Sequence, residues 1–256
     1  MNKIVDRQIL SRFDGKGIFG RNDIVSLLRD LDPEISDSAA FWRMHDLVKR
    51  RIINQVKLGV YSLSIKEIYR PSGSDELARL HKVVAKDFHG LGYCLWTTEW
   101  LNDFTQHQLG TSFYVLEVEK DFVEEVFNAY SEFKQFRVYV NPTDDIMKRY
   151  IEQGSSIVIK PLIGRSPRQE IALREKSKDT VFVPTVEKIL VDIFSDDVTF
   201  FSIQGSELDT IFKNALTRYQ VNFTKLMSYA KRRNKDAQLK TYLNTNFSDF
   251  VQGILI

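Results

Sequence analysis

His81, Asp87, His89 and Cys94 lie close together, and their side chains are of the kinds that bind metals or form thiol–imidazole pairs. Zinc sites are built from ligand pairs spaced by about two to five residues. The run of these four fits no standard zinc pattern, so histidines on a surface or at a helix end are the simpler assignment, and neither a metal nor a cofactor is expected. The acidic doublets Asp144-Asp145 and Asp196-Asp197 are candidates for Mg²⁺. Each borders a predicted helix, where aspartate more commonly serves as a cap. The signatures of P-loops, nucleophile elbows and HExxH zinc sites are missing. A nucleotidyltransferase needs a Gly-Ser or Gly-Gly turn followed about ten residues later by two aspartates that hold metal and triphosphate. Gly73-Ser74, Gly154-Ser155 and Gly205-Ser206 all lack that pair. A G-x-G-x-x-G loop of the dinucleotide-binding folds is not expected either, and the chain reads as a binding protein, not an enzyme.

What remains is the chemistry of cations. The 36 Lys and Arg exceed the 34 Asp and Glu by only two, but the charges are segregated. Residues 1–70 hold 13 basic and 9 acidic side chains, and residues 213–240 hold eight basic ones against Asp236 alone. Residues 117–132 carry six acids, Glu124 and Glu125 among them, against Lys120 alone. Such segregation suits polyanions or oppositely charged proteins, although a solvated helix face explains any single run.

The cations of the first 70 residues need elements to position them. Apolar residues at helical spacing predict helices over 2–13 (Ile4, Ile9, Leu10, Phe13) and 22–31 (Ile24, Leu27, Leu28, Leu31). The glycine-rich stretch 14–20 reads as the turn between them, with Asn22 or Asp23 as a cap. Asp32-Pro33 stops the second helix. Ser36 or Asp37 caps a third, whose inner stripe is expected to be Ala40, Phe41, Met44, Leu47 and Val48. The alternation from Ile53 to Leu63, broken at Gly59, reads as a hairpin. This order is that of a winged helix-turn-helix over residues 1–70, with the third helix and the wing facing DNA.

On that helix the face opposite the stripe offers Ser38, Trp42, His45 and Lys49, with Arg43 and Arg50 at its edges. Arg43 is the best candidate for base readout, because a guanidinium bonds two guanine acceptors at once. Lys49, Arg50 and Arg51 suit phosphates, or simply the negative end of the helix dipole. Lys57 in the wing is placed to approach a minor groove. Trp42 has two readings, contact with DNA or packing against the wing or the second domain.

Pro71-Ser72-Gly73-Ser74 is the one clustered linker signal, so a second domain is expected over 75–256. It alternates helices and strands: a helix near 75–87, a strand at 93–96, a helix through Trp100, strands at 111–118, 136–140 and 156–160, and helices near 120–132 and after Asn141-Pro142. The last third is mostly helical, restarting after Pro184, after Gly205 and near Asn222. The fold class expected is mixed α/β behind the winged helix. The single cysteine rules out an internal disulfide. No apolar run reaches the ~18–20 residues of a membrane span, and the first residues lack a secretory pattern, so a cytoplasmic location is expected.

Several segments together resemble the AbiEi-type antitoxins of type IV, abortive-infection toxin–antitoxin pairs. Residues 41–50, Phe-Trp-Arg-Met-His-Asp-Leu-Val-Lys-Arg, followed by Ile52-Ile53 and 59–63, are similar to that family's recognition helix and wing. Residues 159–167 (Ile-Lys-Pro-Leu-Ile-Gly-Arg-Ser-Pro) and 183–192 (Val-Pro-Thr-Val-Glu-Lys-Ile-Leu-Val-Asp) resemble its central signature, and Arg218 to Arg233 its C-terminal helices. Asp46 is a departure, an acid near the expected phosphate path. The resemblance implies an N-terminal domain that binds operator DNA and represses its own operon. It also implies a C-terminal domain that counteracts a nucleotidyltransferase toxin, a functional partner that need not be gripped directly. Lys225, Lys231, Arg232, Arg233 and Lys235 are a candidate surface for RNA, an acidic toxin face or flanking DNA, or a plain solvated helix. The alternative is a winged-helix transcription factor whose second domain senses a small molecule.

Overall fold

The computed structural model describes residues 2–63, 66–105, 108, 110, 112–151, 156–174 and 179–255. Gly154-Ser155 and the strand start expected at Thr111 lie outside them. The N-terminal part runs α1 (Asn2–Phe13), β1 (Phe19–Gly20), α2 (Arg21–Leu31), α3 (Asp37–Lys49), β2 (Asn54–Lys57) and β3 (Val60–Ser62). Its three strands form an antiparallel sheet in the order β1-β3-β2, which is the winged-helix arrangement. Ile9, Phe13, Ile24, Leu28, Met44, Leu47, Ile53 and Tyr61 make a common core, in which the rings of Phe13 and Phe19 stack 4.0 Å apart.

The helix ends follow from local chemistry. Ser36 caps α3 by accepting from the Ala39 N–H at 3.2 Å. At α2 the capping residue is Gly20, whose N–H donates back to Asp23 Oδ2 at 2.7 Å. The glycine-rich stretch is therefore more than a turn, because Phe19 and Gly20 pair with Tyr61 and Val60. The wing turns at Leu58-Gly59, where Gly59 takes φ +77°, a left-handed conformation that carries a steric penalty for any residue with a Cβ.

The second part contains α4 (Asp75–Asp87), β4 (Tyr93–Thr97), β5 (Tyr114–Val118), α5 (Val123–Ser131), β6 (Arg137–Val140), α6 (Asp144–Tyr150) and β7 (Ser156–Pro161). A hairpin of β8 (Arg168–Ala172) and β9 (Thr180–Pro184) follows. Then come α7 (Val186–Ser195), α8 (Ser206–Arg218), α9 (Phe223–Arg232), α10 (Asp236–Asn246) and α11 (Ser248–Val251). The main sheet has the order β4-β5-β7-β6, with β5, β7 and β6 parallel and β4 antiparallel. Both faces are covered, which is why β4 and β5 are apolar almost throughout. Leu95, Leu116, Ile157 and Ile159 meet α4 and α5 on one face. Cys94, Trp96, Val115 and Val158 meet α7 and its helical neighbours on the other. The fold is mixed α/β. No helix among the described residues is long and apolar enough to cross a membrane.

The segment between the two parts is strapped down. Tyr69 and Pro71 are buried. Glu67 donates its N–H to the Arg218 carbonyl at 3.0 Å and accepts from the Gln220 N–H at 2.8 Å. Gly73 passes so close to the hairpin that a Cβ there would lie 2.4 Å from the Leu173 carbonyl oxygen.

Candidate functional site

Residues 38, 42, 45 and 49 recur at intervals of three and four and so share one stripe of α3. Ser38, Trp42, His45 and Lys49 are all exposed with the rest of the described chain in place, Trp42 at 69%. Trp42 therefore packs under neither the wing nor the second unit; its ring meets His45 edge-on at 6.2 Å. The expected inner stripe needs one correction. Ala40, Met44 and Leu47 are buried, but Phe41 is 48% exposed and lies beneath the Arg21 guanidinium, 5.8 Å from ring centre to carbon. Phe41 belongs to the rim of the outer face, which is cationic and aromatic.

Three of the expected DNA contacts are otherwise engaged. Arg43 is half-buried and donates to Asp32 Oδ2 at 3.1 Å, tying α3 to the end of α2, so it is no free reader of bases. Arg50 makes a two-pronged bond to Asp6 (2.5 and 2.8 Å) and a third to Asp46 at 2.7 Å. Hydrogen bonds to Asp6 first, then Asp46, raise its pKa further, and its fork staples α1 to α3 in place of a phosphate. This also explains the departure at Asp46, whose charge is used within the fold. Lys57 donates to the Ile254 carbonyl at 2.7 Å, and the Leu58 N–H to Thr224 Oγ1 at 2.7 Å. The wing is docked on the C-terminal helices, which takes Lys57 away from a minor groove.

Residues 15–20, Gly-Lys-Gly-Ile-Phe-Gly, do have the GxGxxG spacing of dinucleotide loops, contrary to the expectation that the chain offers no such loop. Their setting is wrong for that use. The run follows helix α1, and its last two residues form β1, whereas a dinucleotide loop follows a strand inside a βαβ unit.

The candidates for metal or thiol chemistry are not brought together. The Cys94 side chain enters the core on the α7 face, where burial pushes its thiol up. The His81 ring instead packs 5.8 Å from that of Tyr93, and burial lowers its pKa. Asp144 and Asp145 pair with Lys148 and Arg149 along α6, at 2.7 and 2.6 Å. Asp196 pairs with Lys160 and accepts from the Thr199 N–H at 3.0 Å.

The C-terminal cations do not form one surface either. Lys225, Lys231 and Arg232 are exposed, with Arg232 donating to the Arg165 carbonyl at 2.8 Å. Lys235 is only partly exposed. The Arg233 side chain, 17% exposed, turns inward to within 3.9 Å of Asp192. Burial would lower its pKa, but Asp192 leads a set of groups that raise it.

Arg233 points to a group that sequence reasoning missed. Lys188 on α7 is fully buried, with its ammonium 2.5 Å from Glu117 on β5 and 2.5 Å from Asp192 one helical turn on. The Tyr229 hydroxyl on α9 donates to Asp192 at 2.7 Å and lies 3.2 Å from the Lys188 nitrogen. Burial opposes the charge on Lys188, yet Asp192 and Glu117 outweigh it and hold the pKa well above the usual lysine value. The signal was present in the sequence. In residues 186–195, Val-Glu-Lys-Ile-Leu-Val-Asp-Ile-Phe-Ser, apolar side chains surround the helix, so no face is left on which its charges can reach water.

Fold and surface together define a winged helix with an open outer helix face, locked through its wing to an α/β unit with a charged interior. The chain belongs to a family of unknown function, DUF6577, whose sequence profile matches residues 39–249, from the first turn of α3 into α11. No curated protein matches it.

Proposed function

We propose that this chain is a DNA-binding regulator that docks the outer row of α3 in a duplex groove. Following the resemblance described above, it acts as the antitoxin of a toxin–antitoxin pair and represses its own operon. The observation that supports this best is that Ser38, Trp42, His45 and Lys49 are all uncovered, although the wing beside them is docked. Ser38 and His45 carry hydrogen-bonding groups suited to base edges, and Lys49 a charge suited to phosphate. The aromatic pair Phe41 and Trp42 adds apolar contact of the kind that meets a thymine methyl. Arg43, Arg50 and Lys57 act indirectly, by fixing the angle at which α3 is presented. In this reading the transferase chemistry belongs to the toxin.

Two experiments test the two halves. Gel shifts with the duplex upstream of the gene are expected to show binding that is lost in the Trp42→Ala, His45→Ala double variant. Binding unaffected by that variant would remove α3 from the account. Expression of the adjacent gene alone is expected to arrest growth, with rescue by this chain; absence of toxicity or of rescue would remove the antitoxin half.

A further inference from the structure

Between the wing sheet and the C-terminal helices lies a cavity of about 690 Å³. Small-molecule sites commonly occupy ~300–1,000 Å³ and combine apolar walls with a few polar groups. Here the walls are largely apolar, with Ile18 and Val56 on the winged-helix side and Val221, Phe223, Phe250 and Ile254 opposite. Lys66 enters this lining half-buried. Its ammonium donates to the Leu216 carbonyl at 2.5 Å and stands 5.5 Å from the centre of the Phe250 ring. No carboxylate pairs with it among the described residues, and burial pushes its pKa below the usual lysine value. Lys16 and Asp249 also line the cavity, but both are exposed residues, and Lys16 sits over the Phe13 ring at 5.4 Å. A desolvated ammonium among apolar walls is costly until an anion meets it.

We propose that this cavity binds a small amphipathic anion, with its carboxylate on the Lys66 ammonium and its aliphatic or aromatic body against Val56, Val221, Phe223 and Phe250. The two sides of the site belong to the two parts of the chain, which are joined beside it by the bonds from Lys57 to Ile254 and from Leu58 to Thr224. An occupant therefore touches the wing and the C-terminal helices together. The inference stands on the cavity and on Lys66, not on DNA binding, so either reading can fail without the other.

Calorimetric titration of the full chain with decanoate and with decyltrimethylammonium, both below their micelle concentrations, tests it. Saturable one-to-one binding of decanoate is expected, with the cation weaker by about tenfold or more. Lys66→Met, which replaces the ammonium with an apolar chain of similar reach, is expected to weaken decanoate by a similar factor, and Lys66→Arg to retain it. The comparison of the two ions on the native chain needs no variant. The proposal is overturned if the native chain binds neither ion saturably, binds both equally, or if folded Lys66→Met binds decanoate as before.

Discussion

The winged helix keeps its ion pairs near its surface, whereas the second unit runs one through its interior. Arg29 pairs with Asp37 where both side chains are more than half exposed, and Arg50 holds Asp6 and Asp46 at a rim. Lys188, Glu117 and Asp192 are at most 5% exposed. The difference lies in what each charge would do if released. A surface charge that loses its partner returns to water at little cost, while a buried one stays desolvated. The second unit is therefore intolerant of change at Lys188, Glu117 and Asp192. The winged helix has charges to spare for a partner, the exposed Lys49 of α3 among them.

Removing Lys188 breaks this comparison most severely if the account is wrong. Lys188→Met leaves Glu117 and Asp192 buried with only the more distant Arg233 guanidinium, 3.9 Å from Asp192, and is expected to destabilise the chain by ~3–5 kcal/mol in urea denaturation. A loss below about 1 kcal/mol would mean that water reaches the cluster. Tyr229→Phe removes one donor from Asp192 and keeps the ring, so a loss of ~1–3 kcal/mol is expected by the same measurement. Arg50→Met releases Asp6 and Asp46 at a partly wet site, with an expected loss near ~1 kcal/mol. It should also loosen α1, as seen in faster amide exchange over Asn2–Phe13. Asp37→Asn, at the exposed end of the series, is expected to change stability by less than ~0.5 kcal/mol. If the last two variants cost as much as the first, the distinction between the two units has no energetic content.

Much of this organisation was legible in the residues. Helical spacing located α1, α2 and α3, the break at Gly59 located the wing, and the stretch Pro71-Ser72-Gly73-Ser74, expected as a linker, ends at the cap of α4. What failed has physical causes. Helical spacing puts Phe41 on the edge of the apolar stripe, although a ring under a guanidinium is stable at a surface. Arg43 and Arg50 look free in the sequence because Asp32 stands at the end of α2 and Asp6 on α1, although Asp46, one turn before Arg50, is a local signal. The hairpin of β8 and β9 was missed because Arg168, Gln169 and Glu170 lack the apolar alternation of a half-buried strand. Lys188 stands within residues 183–192, and its charge masks its burial. A charged residue suggests a surface until the apolar residues around its whole helix are counted.

The most direct test of the central claim is the salt dependence of duplex binding by native chain and Lys49→Ala, followed by fluorescence anisotropy. If α3 lies in the groove with Lys49 on a phosphate, the variant weakens all sequences and its log–log salt slope is shallower by about one unit. An unchanged slope and affinity in Lys49→Ala would contradict the claim, because the one lysine this helix leaves free would then take no part in binding.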